Sequence, residues 1–369
     1  MKLFQISRDA LLKPLQAVSG IVEKRHTLPI LSNVLISRRQ RALSLVATDL
    51  EIQVSTVCED VAGAGEETAF TVSARKLQEI LRSLPEGSET MLDLQNSRLQ
   101  VRAGKSRFNL QTLPATDFPT LAEAGAQLAS VRLEQGELRE LLGLVQYSMA
   151  QQDIRYYLNG LLLVLDEDRI KLVATDGHRL SYMAGPIAQQ VQKTEVILPR
   201  KAVLELGKLL EASSEPVDIE IYGTQAKFRF GAVELVTKLI DGKFPDYTRV
   251  IPTNYQKRIV LARIALLQAL QRASILSNEK FRGVRWMLTA NSLRISCTNN
   301  EQEEAQEEIE VSYNGDALDV GFNINYLVDV LNNVQESNVE CAFGDANSSM
   351  LMTLPERKEF KYVVMPMRI

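Results

Sequence analysis

The densest group of chemistry-bearing residues is Ala-Thr-Asp-Gly-His-Arg-Leu at 174–180, where Asp176, His178 and Arg179 fall within four positions. An aspartate beside a histidine could move protons in a metal-dependent hydrolase or hold the ion itself. The rest of the chain lends that chemistry little support. Only two histidines are present, His26 and His178, so a multi-histidine site cannot be assembled. No HExxH, GxSxG or phosphate-loop pattern occurs. The Leu-Val-Ala-Thr-Asp that leads into the cluster also stands at 45–49, where Asp49 is followed by Leu-Glu-Ile instead of Gly-His-Arg-Leu. Aspartate is shared by both copies, whereas histidine and arginine belong to the second alone. No catalytic residue, metal or cofactor is therefore expected. LVATD reads first as a strand whose closing carboxylate bonds turn amides. Gly177–Leu180 reads as a remodelled loop on that scaffold, where a binding function is expected.

The elements around the cluster repeat. RALSLVATDLEI (41–52) matches RIKLVATDGHRL (169–180), DFPTL (117–121) matches KFPDY (243–247), and VSARKLQEILRSL (72–84) matches LPRKAVLELGKLL (198–210). These matches share nearly one spacing, which marks a domain-sized duplication. A diverged third copy follows, with NSLRISCTNNEQEEA (291–305) in the place of LVATD and VGFNINYLVDVLNNV (320–334) in the place of the Arg-Lys helix. Each copy opens on a helical pattern, at 8–22, 136–150 and 262–276, with apolar residues at three- and four-residue steps. Pro14 is read as an early-turn proline that the first helix tolerates. Alternating strand segments follow, then a second helix, then more strands. The fold class is α+β: three tandem domains, each with two helices on one face of antiparallel sheet. Breaks near 122–130 and 250–258 place the domains at 1–125, 126–250 and 251–369.

The chain has 369 residues, enough for two or three domains, and its 45% apolar and 24% charged content suits a soluble globular protein. No apolar run could span a bilayer, and MKLFQISRDALLKP lacks a signal-peptide core, so a cytoplasmic protein is expected. Cys58, Cys297 and Cys341 are odd in number and far apart, which suggests neither a disulfide framework nor a zinc site. Net charge is −4, yet the predicted helices are together basic and the remainder acidic. A shared helix face would attract a polyanion weakly and without sequence preference.

TLPIL (27–31), RYYLNG (155–160), TDGHRL (175–180), KFPDYTRV (243–250), LSNEKFRGVR (276–285) and YVVMPMRI (362–369), set in three repeats, together resemble the bacterial sliding clamps, the beta subunits of DNA polymerase III. The resemblance covers the whole chain. EKRHT (23–27) and PERKEF (355–360) depart from the family pattern as loop changes. The resemblance implies a non-catalytic processivity factor. Two subunits close head-to-tail into a homodimeric ring around duplex DNA, with helices lining the hole. It implies DNA contacts from Arg25, Arg75, Gln152, Tyr156, Tyr157, Arg200 and Lys201. Tyr156 and Tyr157 could both serve only from a loop, since adjacent strand residues face opposite ways. An apolar pocket for short motifs of the polymerase, clamp loader and repair proteins is implied at Leu158, Thr175, Gly177, His178, Arg179, Leu180, Pro245, Arg249 and Val250. Asn323, Tyr326, Ser349, Val363, Met365, Pro366, Met367 and Arg368 extend it, and Arg179 and Arg368 are expected to pair with polar groups of the peptide. For the dimer interface it implies Lys76, Lys105, Arg107 and Phe108 against Ile275, Leu276, Glu301, Glu303 and Glu304. Two other classes stay open on residues alone: a hydrolase centred on Asp176 and His178, and a monomeric peptide-binding scaffold without DNA.

Overall fold

A computed structural model describes residues 4–23, 28–59, 61–62, 67–95 and 97–368. It divides into two compact units, Met1–Leu138 with Leu204–Leu239, and Arg139–Val203 with Ile240–Ile369.

Among the described residues six α-helices form: α1 (Arg8–Ser19), α2 (Ala74–Ser83), α3 (Gln135–Gly143), α4 (Arg200–Leu209), α5 (Arg263–Ser274) and α6 (Ile324–Asn333). Five lie inside the expected spans with trimmed ends, and α3 starts one residue ahead of its span, at Gln135. Three of the starts are set by side-chain caps at strand ends. Ser7 accepts from the Ala10 amide, Ser73 from Lys76 and Asn323 from Asn325, each meeting an amide that the first helical turn leaves unpaired. The pattern expected over 136–150 stops at Gly143, a poor helix former, and continues as a short 3-10 turn at Gln146–Ser148. Pro14 is not in an early turn. It is the seventh residue of α1, inside the helix, where it forfeits one backbone bond. Four buried side chains, Leu11, Leu12, Leu15 and Val18, hold α1 in place despite that loss.

The repeat is visible in the backbone. The first amide of each opening helix bonds the carbonyl just before a later strand: Arg8 to Ser88, Gln135 to Glu215 and Arg263 to Ser337, each at 2.8 Å. The sheets do not respect the repeats. In the first unit a twelve-stranded antiparallel sheet runs from Phe4–Ser7 at one edge to Gln127–Glu134 at the other. Within it Ile52–Cys58 of the first repeat pairs with Val233–Lys238 of the second. In the second unit a six-stranded sheet joins the repeat-two hairpin Gly160–Thr175 and Arg179–Pro199 to Arg357–Val364 of repeat three. A four-stranded sheet ends on Glu304–Glu310. Its inner face carries Trp286 and Phe322, both buried, with rings edge-to-face at 5.7 Å and 82°.

Phe322→Ala is expected to cost about 3–5 kcal/mol through the lost transfer energy and the cavity left behind. Trp286 is the sole tryptophan, so its fluorescence in a denaturant titration reports the change directly. A loss below about 1 kcal/mol would contradict the packing described.

Candidate functional site

The duplicated pentapeptide builds the same turn twice. In the first copy Asp49 Oδ1 accepts from the amides of Glu51 and Ile52 at 2.9 and 2.7 Å. Thr48 Oγ1 donates to the Ile52 carbonyl and accepts from the Leu50 amide. In the second, Asp176 Oδ1 accepts from His178 and Arg179 at 2.9 and 3.0 Å. Thr175 Oγ1 donates to the Arg179 carbonyl and accepts from Gly177. The residue after aspartate has positive φ in both, +77° at Leu50 and +88° at Gly177. In the third copy Asn299 Oδ1 accepts from Glu301 and Glu303, a turn one residue longer. Asp176 is thereby committed to turn amides and to Arg179 Nε at 3.1 Å. Among the described residues no group of three or more His, Cys, Asp or Glu side chains is placed to hold a metal.

What differs in the second copy is Arg179. Its guanidinium is 9% exposed and bonds Asp176 Oδ2, Asp329 Oδ2 at 2.6 Å and the Tyr147 carbonyl at 2.8 Å. The rings of Tyr326 and Tyr147 flank it at 4.5 and 5.8 Å. Burial works against its charge, and Tyr362, Asp329 and Asp176 outweigh that, so its pKa is raised. Arg179 therefore serves the frame of the site, with three of its N–H donors engaged by Asp176, Asp329 and the Tyr147 carbonyl.

Around this frame Thr175, Gly177, His178, Arg179, Leu180, Val250, Val363 and Met365 line an apolar depression of about 30 Å³. Three segments converge there. The Met365 amide bonds the His178 carbonyl at 2.9 Å, and Leu180 pairs with Val363 across the ladder. Leu158 is buried behind them, and Tyr326 lies under Arg179. Pro245 and Arg249 are exposed beside Val250, with Arg249 paired to Asp246. Asn323 is the cap of α6, and Ser349 and Pro366 are half-buried. Met367 and Arg368 line a separate cavity of about 760 Å³ with Phe281, Gly321 and others.

Of the residues expected at DNA, three share one loop. Gln152 has φ of +58°, and the 3-10 turn Tyr156–Leu158 follows it. Tyr156 is 58% exposed, whereas Tyr157 packs on the core cluster holding Leu180 and Val363. The Arg200 amide bonds the Asn159 carbonyl and its side chain the Met149 carbonyl, so Arg200 adjoins that loop. Lys201 follows it on α4. Arg75 is exposed on α2 and paired with Glu79, and Arg25 lies outside the described residues. Of the residues expected at a dimer interface, Lys76, Lys105 and Arg107 are exposed and Phe108 half-buried, all in the first unit. In the second unit Ile275 is 77% exposed, Leu276 half-buried, and Glu301, Glu303 and Glu304 exposed.

Sequence reasoning missed Arg155, Tyr147 and Asp329. Arg155 lies in the RYYLNG motif, but its targets are set by the fold. It grips Asp153 with Nε and Nη2 and reaches the Asp176 carbonyl at 3.3 Å. A Cβ on Gly177 would come within 2.9 Å of it.

Three consecutive repeats of paired helices and antiparallel sheet, with a small apolar depression where the second and third meet, define a clamp-type replication protein. Models of the DNA polymerase III beta subunit match in series: the N-terminal domain over residues 1–122, the central domain over 132–246 and the C-terminal domain over 248–368. The beta sliding clamp of Pseudomonas putida is 46% identical, covering 99% of this chain and 100% of the relative. That of Escherichia coli is 44% identical over 99% of this chain. A crystal structure of the Pseudomonas aeruginosa sliding clamp bound to griselimycin aligns with a TM-score of 0.95 at 44% identity, covering 99% of each chain. The chain belongs to the DNA polymerase III beta subunit family, the bacterial sliding clamps.

Two outcomes are expected. Gly177→Ala should cost about 1–2 kcal/mol in a denaturant titration, because a side chain at positive φ is strained and meets Arg155. An unchanged midpoint would show that the turn tolerates a Cβ. The Arg155 side chain, and then its amide, hold the Asp153 pKa down to about 2. Its contribution is therefore present above the ordinary carboxylate range and lost only as pH falls through about 2. A carboxyl carbon NMR titration should place its midpoint there, and a midpoint near 4 would remove the Arg155 bond from the loop.

Proposed function

We propose that two copies of this chain close head-to-tail into a ring around duplex DNA in the cytoplasm, each contributing domains at 1–125, 126–250 and 251–369. As a sliding clamp the chain is a processivity factor and a non-catalytic subunit of the polymerase. Closure does the holding. A ring need not grip what it encircles, so phosphate contacts can stay weak and without sequence preference while escape is blocked. Arg25, Arg75, Gln152, Tyr156, Tyr157, Arg200 and Lys201 supply those contacts, with Tyr156 the more exposed of its pair.

The observation that carries the ring is a pair of unmatched strand edges. Ser106–Pro114 pairs with Arg98–Ala103 through residues 106–111 and turns to Thr68–Ser73 only at 112–114, so its first half has an open side among the described residues. That half carries Arg107 and Phe108, with Lys105 in the turn before it. Glu304–Glu310 is the open edge of the four-stranded sheet, with Ile275 and Leu276 just after α5. One edge is basic and the other acidic, each beside an apolar anchor, and open edges invite pairing. Two different surfaces meeting twice about a two-fold axis give a closed ring.

Replicative polymerase, clamp loader and repair proteins dock by short linear motifs on the depression between Thr175–Leu180, Val250 and Val363–Met365. The wider region includes Leu158, Pro245, Arg249, Asn323, Tyr326, Ser349, Pro366, Met367 and Arg368. Its apolar floor and soft methionine suit varied apolar side chains. Griselimycin on the Pseudomonas aeruginosa relative supports a ligand site on such clamps.

Loaded onto nicked circular plasmid by a cognate loader with ATP, the protein should stay on circles and leave once the DNA is cut open. Equal retention on both forms would mean binding by contact and would sink the ring. Its mass in solution should be twice 41.3 kDa, and Ile275→Asp should return it to the single-chain mass. A wild-type protein at the single-chain mass favours the monomeric scaffold.

A further inference from the structure

The pocket is a shallow, open depression of about 30 Å³. How firmly its walls are held decides how much ordering a ligand must bring about. Two of the walls rest on ladder or ion-pair contacts, with Met365 just past the second strand and 48% exposed. The Thr175–Leu180 turn is held by Arg179, and Arg357–Val364 pairs with strands on both sides. The third wall, residues 245–251, belongs to no sheet. Asp246 accepts from the amide and hydroxyl of Thr248 and pairs with Arg249, bonds that stay inside the segment.

Tyr247 and Ile251 anchor this segment to the core cluster of the sheet, and Tyr247 does so through a ring stack. The Tyr247 ring stacks on Tyr182 with centroids 5.8 Å apart and planes 30° apart. Both rings pack on the core cluster that contains Leu180 and Val363. Tyr182 is in turn fixed in the ladder opposite Lys361, whose ammonium lies 5.3 Å from its ring centre. Tyr247 also sets the local backbone, because its carbonyl accepts from the Val250 amide at 3.1 Å. Val250 lines the pocket, and neither tyrosine does.

We infer that Tyr247 and Tyr182 are positioning residues for partner binding: their stack holds the Val250 wall of the depression in place to receive a ligand. The inference rests on the depression being the partner site. Without the stack, the segment must be ordered each time a ligand binds, and that cost comes out of affinity.

Griselimycin is the probe, with affinity and dissociation rate measured on the full-length protein by surface plasmon resonance. Tyr247→Ala is expected to bind about tenfold more weakly, mainly through faster dissociation, as suits the loss of one aromatic pair. Tyr182→Ala should weaken binding in the same direction, although its ring lies on the sheet. Tyr247→Phe keeps the stack and should stay within about twofold of wild type. The dimeric mass in solution, which does not use the pocket, should be unchanged in all three. If Tyr247→Ala lost griselimycin affinity and the dimeric mass together, the ring would be a general structural prop and the inference would fall. Wild-type or tighter affinity in both alanine variants would also overturn it, as would loss of binding in Tyr247→Phe. Met365→Glu separates the underlying site reading: if it binds griselimycin as wild type does, the pocket assignment has failed, and the tyrosines with it.

Discussion

The site hangs on one buried cation. Arg179 sits between two carboxylates, a carbonyl and two aromatic rings, and it ties the Asp176 turn of the second repeat to α6 of the third through Asp329. An arginine with 9% of its side chain exposed would be costly without those partners, since a buried charge must recover in hydrogen bonds what it loses in hydration. The planar guanidinium suits this position because it reaches three acceptors in different directions while its faces pack on rings. Leu180, next in the chain, then enters the ladder with Val363, and the apolar floor follows. Much of the pocket is thus a by-product of satisfying one charge.

The same constraint accounts for the duplicated LVATD. Threonine and aspartate close a four-residue turn by bonding its amides, a device that works wherever a strand must reverse with one residue at positive φ. The first repeat accepts Leu50 in that left-handed position, and the second uses Gly177, where the absence of a Cβ leaves room for Arg155. The motif looked catalytic because an aspartate stood beside a histidine. Its carboxylate is occupied by backbone amides and by Arg179 instead.

Much of the fold was legible because helix periodicity and strand alternation are local, and three copies repeat the same signal. The six helices fell where the pattern put them, with errors where local rules compete: Gly143 ended one early, and Pro14 survives inside another because its buried face is strong enough. The site was legible only in part. Thr175–Leu180, Val250, Val363 and Met365 do converge. Met367 and Arg368 turn to a different cavity. Which tyrosine of 156 and 157 is exposed depends on a 3-10 turn that adjacent aromatics do not announce. The partners of Arg155 and Arg179 lie up to 150 residues away, and spacing carries no information about them.

The sheets draw a different set of boundaries from the sequence. Repeat two is divided between two compact units: Gln127–Glu134 and the strands of 216–238 join the first repeat's sheet, while the hairpin of 160–199 joins the third's. The unit that was copied is therefore not the unit that bears load. An excised central repeat would carry two raw strand edges, at Val233–Lys238 and at Arg179–Pro199, and would be prone to aggregate. Tension along the chain would meet hydrogen-bond ladders in shear at both junctions, where a beads-on-a-string protein would offer only a linker. Copying thus left the second module shared out, its outer strands sealed to the first within one unit and its hairpin to the third within the other.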